Sequence, residues 1–191
     1  MQKIGILAFQ GDFLEHKEAV ESLGKKTILV KSLKDLENIN YLILPGGEST
    51  VIGKFLLETK LDKQICKRVL DKKDLVVYGT CAGAILLCKE VISDKPINNL
   101  GIIEAKISRN SYGSQINSFR QQIEFVPTKQ EFEAIFIRAP RILDFNSKKV
   151  QVLAKYKQEI LMLRQENVLI STFHPELIRP ALIHDYFLNK M

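Results

Sequence analysis

Cys81 lies in Leu75-Val76-Val77-Tyr78-Gly79-Thr80-Cys81-Ala82-Gly83-Ala84-Ile85-Leu86-Leu87-Cys88, a stretch whose character changes around the thiol. Leu75 to Tyr78 is apolar and β-branched, whereas Ala82 to Cys88 tolerates a helix, so Gly79 to Gly83 is expected to be the turn between them. A Gly-x-Cys-x-Gly turn between strand and helix has the form of a nucleophile elbow, in which strained backbone presents the side chain and the following N–H is free to donate. The helix N-terminus adds positive potential, and such surroundings lower a thiol pKa from about 8.5 to roughly 3.5–7.5. Taken without the rest of the chain, the stretch fits a buried structural cysteine beside an ordinary glycine turn better than a catalytic one.

A nucleophilic thiol needs a base, and His174-Pro175-Glu176 follows the last strand-like run. Strand ends converge in a parallel sheet, so a histidine ending one strand can reach a cysteine ending another. His174 would take the thiol proton and return it to a leaving amine. Glu176, two residues on in an extended segment, would face the same side and hold the other ring nitrogen. Pro45-Gly46-Gly47-Glu48-Ser49-Thr50 follows the third strand, and its paired glycines can present N–H donors to an anion or an oxyanion. Phosphate cradling fits it poorly, because no Gly-Lys-Ser/Thr closes the loop. His16 and His184 fall within the first and last helical patterns, where surface or satisfied-core roles are expected.

These residues have to be held by a fold. Lys3 to Phe9 reads as a first strand and Gln10-Gly11 as a turn. Asp12 would cap the following helix, with Glu15 completing a capping box, and Gly24 ends it. Thr27 to Val30 and Tyr41 to Leu44 are further strands, separated by the polar helical or turn segment Ser32 to Asn38. A helix reaching about Leu57 follows the glycine loop. Lys60 to Lys73 reads as an amphipathic helix whose lysines form the wet face. The β-α-β-α-β order of the first 44 residues predicts a parallel sheet covered on both faces.

The second half is β-rich. Leu100 to Ile107, Phe119 to Phe125, Ala134 to Arg138, Val150 to Lys155, Glu159 to Arg164 and Asn167 to Phe173 are strand-like, with Phe119 to Phe125 alternating as a surface-edge strand. Asn146 to Lys149 is a turn, Gln165-Glu166-Asn167 joins two strands as a hairpin, and Pro180 opens a last helix. The expectation is an α/β fold: a single-domain three-layer α/β/α architecture over residues 1–191, with a mostly parallel central sheet and the elbow after a central strand. A chain of 191 residues with 46% hydrophobic content suffices for one well-buried core.

Composition narrows the function classes. No run of about 18 apolar residues is present and Met1-Gln2-Lys3 leads directly into a strand, so a cytoplasmic protein without membrane spans is expected. Three cysteines, Cys66, Cys81 and Cys88, are odd in number and lack Cys-x-x-Cys spacing, which suggests reduced thiols and no zinc site. The net charge of +6 invites nucleic acid. Asp62, Asp71 and Asp74 interrupt the densest lysine stretch, however, and no nucleic-acid partner is expected.

Taken together, Gly79-Thr80-Cys81-Ala82-Gly83, the Pro45 to Thr50 loop and Phe173-His174-Pro175-Glu176 resemble the signature of the triad (class I) glutamine amidotransferases. More narrowly, Gly5-Ile6-Leu7-Ala8-Phe9-Gln10-Gly11-Asp12 with Glu15-His16, Arg109-Asn110-Ser111-Tyr112-Gly113 and Ile137-Arg138-Ala139-Pro140 resemble the glutaminase subunits of pyridoxal 5′-phosphate synthases, over essentially the full length. The resemblance implies hydrolysis of L-glutamine through a Cys81 thioester, with His174 and Glu176 completing the triad. Ammonia would pass to a (β/α)₈-barrel synthase subunit for vitamin B6 biosynthesis, with neither cofactor nor metal. It further implies oxyanion donors at Gly47 and Ala82 with Gln10 nearby, each donor worth roughly 2.7–4 kcal/mol at the transition state. Glutamine contacts would come from Gly47, Glu48, Ser49, Arg109, Ile137 and Arg138; an arginine suits the α-carboxylate because guanidinium bonds in pairs. Ser114, where the family usually has arginine, and Arg120, where it usually has an acidic residue, depart from the pattern at the loop and partner face. Two other readings remain open at this point: a glutaminase subunit of another biosynthetic amidotransferase, and a non-catalytic regulatory or redox protein on the same scaffold.

Overall fold

The computed structural model describes residues 3–109 and 118–191. Its first half runs β1 (Ile4–Leu7), α1 (Phe13–Ser22), β2 (Thr27–Val30), α2 (Leu33–Glu37), β3 (Tyr41–Leu44), α3 (Ser49–Thr59), α4 (Leu61–Cys66), β4 (Val76–Thr80) and α5 (Ala82–Leu87). The second half adds β5 (Cys88–Ile92), β6 (Ile103–Ser108), β7 (Ser118–Phe125), β8 (Gln130–Ile137), β9 (Arg141–Phe145), β10 (Gln151–Tyr156), β11 (Glu159–Gln165), β12 (Val168–Ser171) and α6 (Leu182–Lys190).

Nine strands form one sheet in the order β2-β1-β3-β4-β12-β11-β10-β7-β8. From β2 to β12 every neighbour is parallel. Beyond β12 every neighbour is antiparallel. The sheet is therefore parallel in the half that carries the elbow, while the β-rich second half supplies the antiparallel strands. A smaller sheet, β5-β6-β9, lies alongside.

Alternation along the central strands distributes side chains to two cores, one on each face. Leu42, Leu44, Val77 and Ile170 pack with Ile52 and Leu56 of α3, Leu61 and Ile65 of α4 and Ala84 of α5. Ile4, Ile6, Ile43, Tyr78 and Leu169 pack with Val20 of α1 and Ile183 and Phe187 of α6. Burial on both faces is why these strands read as continuous apolar runs rather than alternating ones.

Several local expectations are revised. Lys60 to Lys73 is not one helix: Lys60 sits in the left-handed region at φ 60°, and α4 passes into a π-helical turn at Lys67–Asp71. Arg68 leaves the wet face altogether, its buried guanidinium donating to the carbonyls of Leu36 at 2.6 Å and Ile39 at 2.8 Å. Cys88 opens β5 instead of ending a helix, and β5 and β9 are strands that the sequence reading did not include. Both belong to the small sheet, where local pattern is short and half-exposed. The sheet edge is β8 rather than β7. The hairpin at Gln165-Glu166-Asn167 is present, joining β11 to β12 with Gln165 opposite Val168. Among the described residues no helix is long and apolar enough to cross a membrane.

Candidate active site

The elbow is tighter than its sequence suggests. β4 continues through Gly79 and Thr80, and α5 begins at Ala82, so Cys81 alone turns the chain, at φ 48° and ψ −102°. A non-glycine residue there is strained, and it is held from both sides. The Cys81 N–H donates to Ser171 O at the end of β12 (2.9 Å), and the Gly83 N–H donates to Pro45 O after β3 (3.2 Å). Gly83 permits that approach: a Cβ there would stand 2.0 Å from the Leu44 carbonyl oxygen. The ends of three neighbouring parallel strands thus converge on the thiol, which is 8% exposed.

His174 follows β12 by three residues, and its N–H donates to Ile135 O of β8 at 2.8 Å. Its Nδ1 lies 2.7 Å from Glu176 Oε1, the length of a charge-assisted hydrogen bond. The segment linking them is not extended as expected; Pro175–Leu177 is a 3₁₀ turn, and its tight winding folds the glutamate back onto the ring. With Nδ1 committed to Glu176, Nε2 is left for the thiol. Cys81 lies within hydrogen-bonding reach of the ring, while Nε2 is buried and makes no aligned bond in this resting arrangement. Such bonds commonly tighten only when substrate is present.

A second carboxylate belongs to this pair. Asp12 does not cap α1 with its side chain. Its Oδ2 lies 3.3 Å from His174 Nδ1, and a Cβ on Gly46 would meet Asp12 Oδ2 at 2.6 Å and His174 Cε1 at 2.7 Å. Burial pulls the His174 ring toward neutrality, but the polar contacts with Asp12, Cys81 and Glu176 outweigh it and push its pKa up to about 12. The contacts thus favour the charged form of the ring. Burial raises the Glu176 carboxyl, and the His174 interactions pull it back only in part. The ligand atoms of Asp12, His174 and Glu176 lie within 4.8 Å of one another, close enough to suggest a metal. The 2.7 Å separation of His174 and Glu176 is that of a direct hydrogen bond.

The glycine loop frames the other side. Gly47 adopts φ +143°, and the Glu48 N–H donates to Gln10 Oε1 at 2.7 Å, which fixes the Gln10 carboxamide against the loop. Glu48 stands at the N-cap of α3 and accepts from Thr50. Ser49 is buried, and its Oγ has no hydrogen-bond partner. Ala82 is the first residue of α5, where a helix amide lacks an intrahelical acceptor. Arg109 pairs with Glu48 at 2.7 Å, so its charge is engaged before any amino acid arrives. Ile137 borders the nucleophile, with its carbonyl oxygen 4.0 Å from Cys81 Sγ, and Arg138 is exposed at φ 43°. Asn110 to Gly113 and Ser114 lie outside the described residues. Arg120, on β7, is exposed and pairs with Glu133 across the strand at 2.8 Å.

The family model of the SNO glutamine amidotransferase family matches residues 6–191. The chain belongs to that family. It is 44% identical over 189 residues to the pyridoxal 5′-phosphate synthase subunit PdxT of Thermosipho africanus, covering 99% of this chain and 98% of the relative. It is 48% identical over 192 residues to PdxT of Caldicellulosiruptor saccharolyticus, covering 100% and 99%. A glutamine amidotransferase crystal structure superposes with a TM-score of 0.92 at 42% identity, over 97% of this chain and 96% of that one. The PurLQS structure from Thermotoga maritima shares the fold at a TM-score of 0.73 and 16% identity.

The sequence reading missed one polar residue around the Cys81 site. Asp12, expected as a cap, is a partner of His174. His16 and His184, expected as surface or core residues, are both fully buried and joined to each other. One signal was available: Asp12 and His16 are four positions apart, and that spacing puts both at one face of α1.

Proposed function

We infer that the chain is the glutamine-hydrolysing subunit of a pyridoxal 5′-phosphate synthase, one amidotransferase domain over residues 1–191. It hydrolyses L-glutamine to L-glutamate and passes the ammonia to a synthase subunit. The observation that carries the site assignment is the strained Cys81, placed beside a His174 whose Nδ1 is held by Glu176.

In the reacting pair the Cys81 proton sits on His174 Nε2. Cys81 attacks the side-chain carbonyl carbon of glutamine, and the negative charge moves onto the carbonyl oxygen. The Gly47 and Ala82 N–H groups hold that oxyanion, and Gln10 fixes the loop carrying Gly47. Collapse of the intermediate breaks the C–N bond, and the His174 proton leaves with ammonia. Neutral His174 then takes a proton from water as its oxygen attacks the thioester. The S–C bond breaks, releasing glutamate and restoring thiolate and imidazolium. Glu48, Ser49, Arg109, Ile137 and Arg138 contact the amino acid. To receive its α-carboxylate, Arg109 exchanges part of its Glu48 pairing. The synthase partner is a (β/α)₈ barrel, and the pair works in the cytoplasm.

The test is ammonia release from glutamine with the synthase subunit present. Cys81→Ala abolishes it, and a glutamine-analogue electrophile labels Cys81 in the unaltered chain. Labelling confined to Cys66 or Cys88, or activity retained in Cys81→Ala, overturns the assignment. Neither alternative thiol suits the chemistry: burial pushes the pKa of each upward.

A further inference from the structure

Glu176 presents only one oxygen to His174. The other, Oε2, is buried without an aligned hydrogen bond among the described residues, and His16 Nε2 lies 3.4 Å from it. His16 projects from α1 into the interior and is fully buried. Its Nε2 also lies 3.0 Å from Thr80 Oγ1, on the residue preceding the nucleophile. Its Nδ1 lies 2.9 Å from Nε2 of His184, on α6, which is likewise fully buried. The His184 ring is seated edge-on against Tyr78, whose hydroxyl hydrogen-bonds to Ser171 Oγ at 2.8 Å.

The tautomers of this pair follow from what lies at each end. One bond joins the two rings, so one ring donates and the other accepts. If His16 donated from Nδ1, its bare Nε2 would face the carboxylate oxygen lone pair to lone pair. His184 would then carry an N–H at Nδ1, which has no partner. If His184 donates from Nε2, His16 carries its proton on Nε2, directed at Thr80 and Glu176. The atom left over is then a bare nitrogen acceptor at His184 Nδ1, and an unpaired buried acceptor is better tolerated than an unpaired N–H. The second arrangement leaves only that acceptor unpaired.

We propose that His16 and His184 are positioning residues for the reaction: a buried hydrogen-bonded pair that presents the His16 Nε2–H to Glu176 Oε2 and keeps that carboxylate ionised and aimed at His174. The proposal rests on reading Cys81, His174 and Glu176 as the triad. Metal-bound histidines oriented by an outer carboxylate follow the same logic, and loss of such an outer partner costs about 10–100-fold. Here the chain runs one step further back, from α6 to the elbow, and His184 acts without touching substrate.

Steady-state glutaminase kinetics of the full chain with its synthase subunit test this. His184→Leu removes the donor, and kcat falls about tenfold while KM stays within about twofold. His184→Gln, whose amide nitrogen can occupy the Nε2 position, recovers most of the loss; His184→Asn, whose amide is too short, does not. That polar pair keeps the comparison valid if the leucine variant fails to fold. In a Glu176→Gln background, His184→Leu has little further effect, because its route to the reaction is already cut. Equal activities of His184→Gln and His184→Asn, or full multiplication of the His184 and Glu176 effects, overturn the proposal. Cys81→Ala serves as the control: if it is inactive while the His184 variants match the unaltered chain, the relay falls and the triad stands. If Cys81→Ala is active, the triad reading itself is wrong.

Discussion

At the residue scale, His174 is the pivot because two carboxylates share its Nδ1. Glu176 is buried and close, whereas the Asp12 side chain is 39% exposed and its charge is partly screened by solvent. The two are therefore unequal partners. Asp12→Asn keeps the shape of the contact and removes the charge, so the His174 pKa falls, by about one unit. Following the ring protons by NMR against pH measures this directly; an unmoved titration would show that Asp12 contributes packing alone. Cys81, His174 and Glu176 are legible from residue type and order along the chain. Asp12 is not, because a residue at a helix start fits capping chemistry equally well, and only the path of the Gly46 loop brings it to the ring.

At the scale of elements, strand ends do the assembling. β3 brings the glycine loop, β4 the thiol and β12 the histidine, and hydrogen bonds from Cys81 and Gly83 tie the three together. Gly83→Ala tests that tie. Its methyl cannot coexist with the Leu44 carbonyl, so β3 and α5 must separate, at a cost on the order of 3 kcal/mol or more. A urea midpoint close to that of the unaltered chain would show that the elbow is looser than its geometry indicates. The β-α-β alternation of the first half was readable because each buried strand and amphipathic helix carries its own periodicity. The small sheet was not: β5 and β9 gain their pairing from β6, and little in their half-exposed sequences announces it. The break at Lys60 was hidden for a related reason, since a helical pattern continues across a single left-handed residue.

At the scale of the whole molecule, all three histidines are buried, and they do not respond to pH in the same direction. His16 lies well below the usual range through burial and the neighbouring His184 and His174, and burial with Arg179 lowers His184 to about 3. Unfolding lets both take up protons below about pH 6.5, so their stability contribution is present above that value and is lost as pH falls toward 3. His174, raised to about 12, contributes stability fully below about pH 6.5 and loses it as pH rises toward 12. Stability is therefore greatest near neutrality. It declines on the acid side with a slope approaching two protons, about 2.7 kcal/mol per pH unit, and on the alkaline side through His174, joined above about pH 8.5 by the buried Cys66 and Cys88 thiols. Urea unfolding across pH 5–9 reads both limbs, and His184→Gln halves the acid one. A flat profile from pH 5 to 6 would contradict the burial of His16 and His184.

The parallel seam between β4 and β12, where Val168 stands beside Val77, has a consequence in the order of synthesis. A ribosome builds the elbow strand long before the strand that anchors it. Until β12 docks, the Cys81 N–H lacks its Ser171 acceptor and no imidazole stands near the thiol. Neither the Ser171 acceptor nor His174 exists while β4 is being made, so the surroundings of Cys81 can be completed only after β12 has been synthesised and has paired with β4.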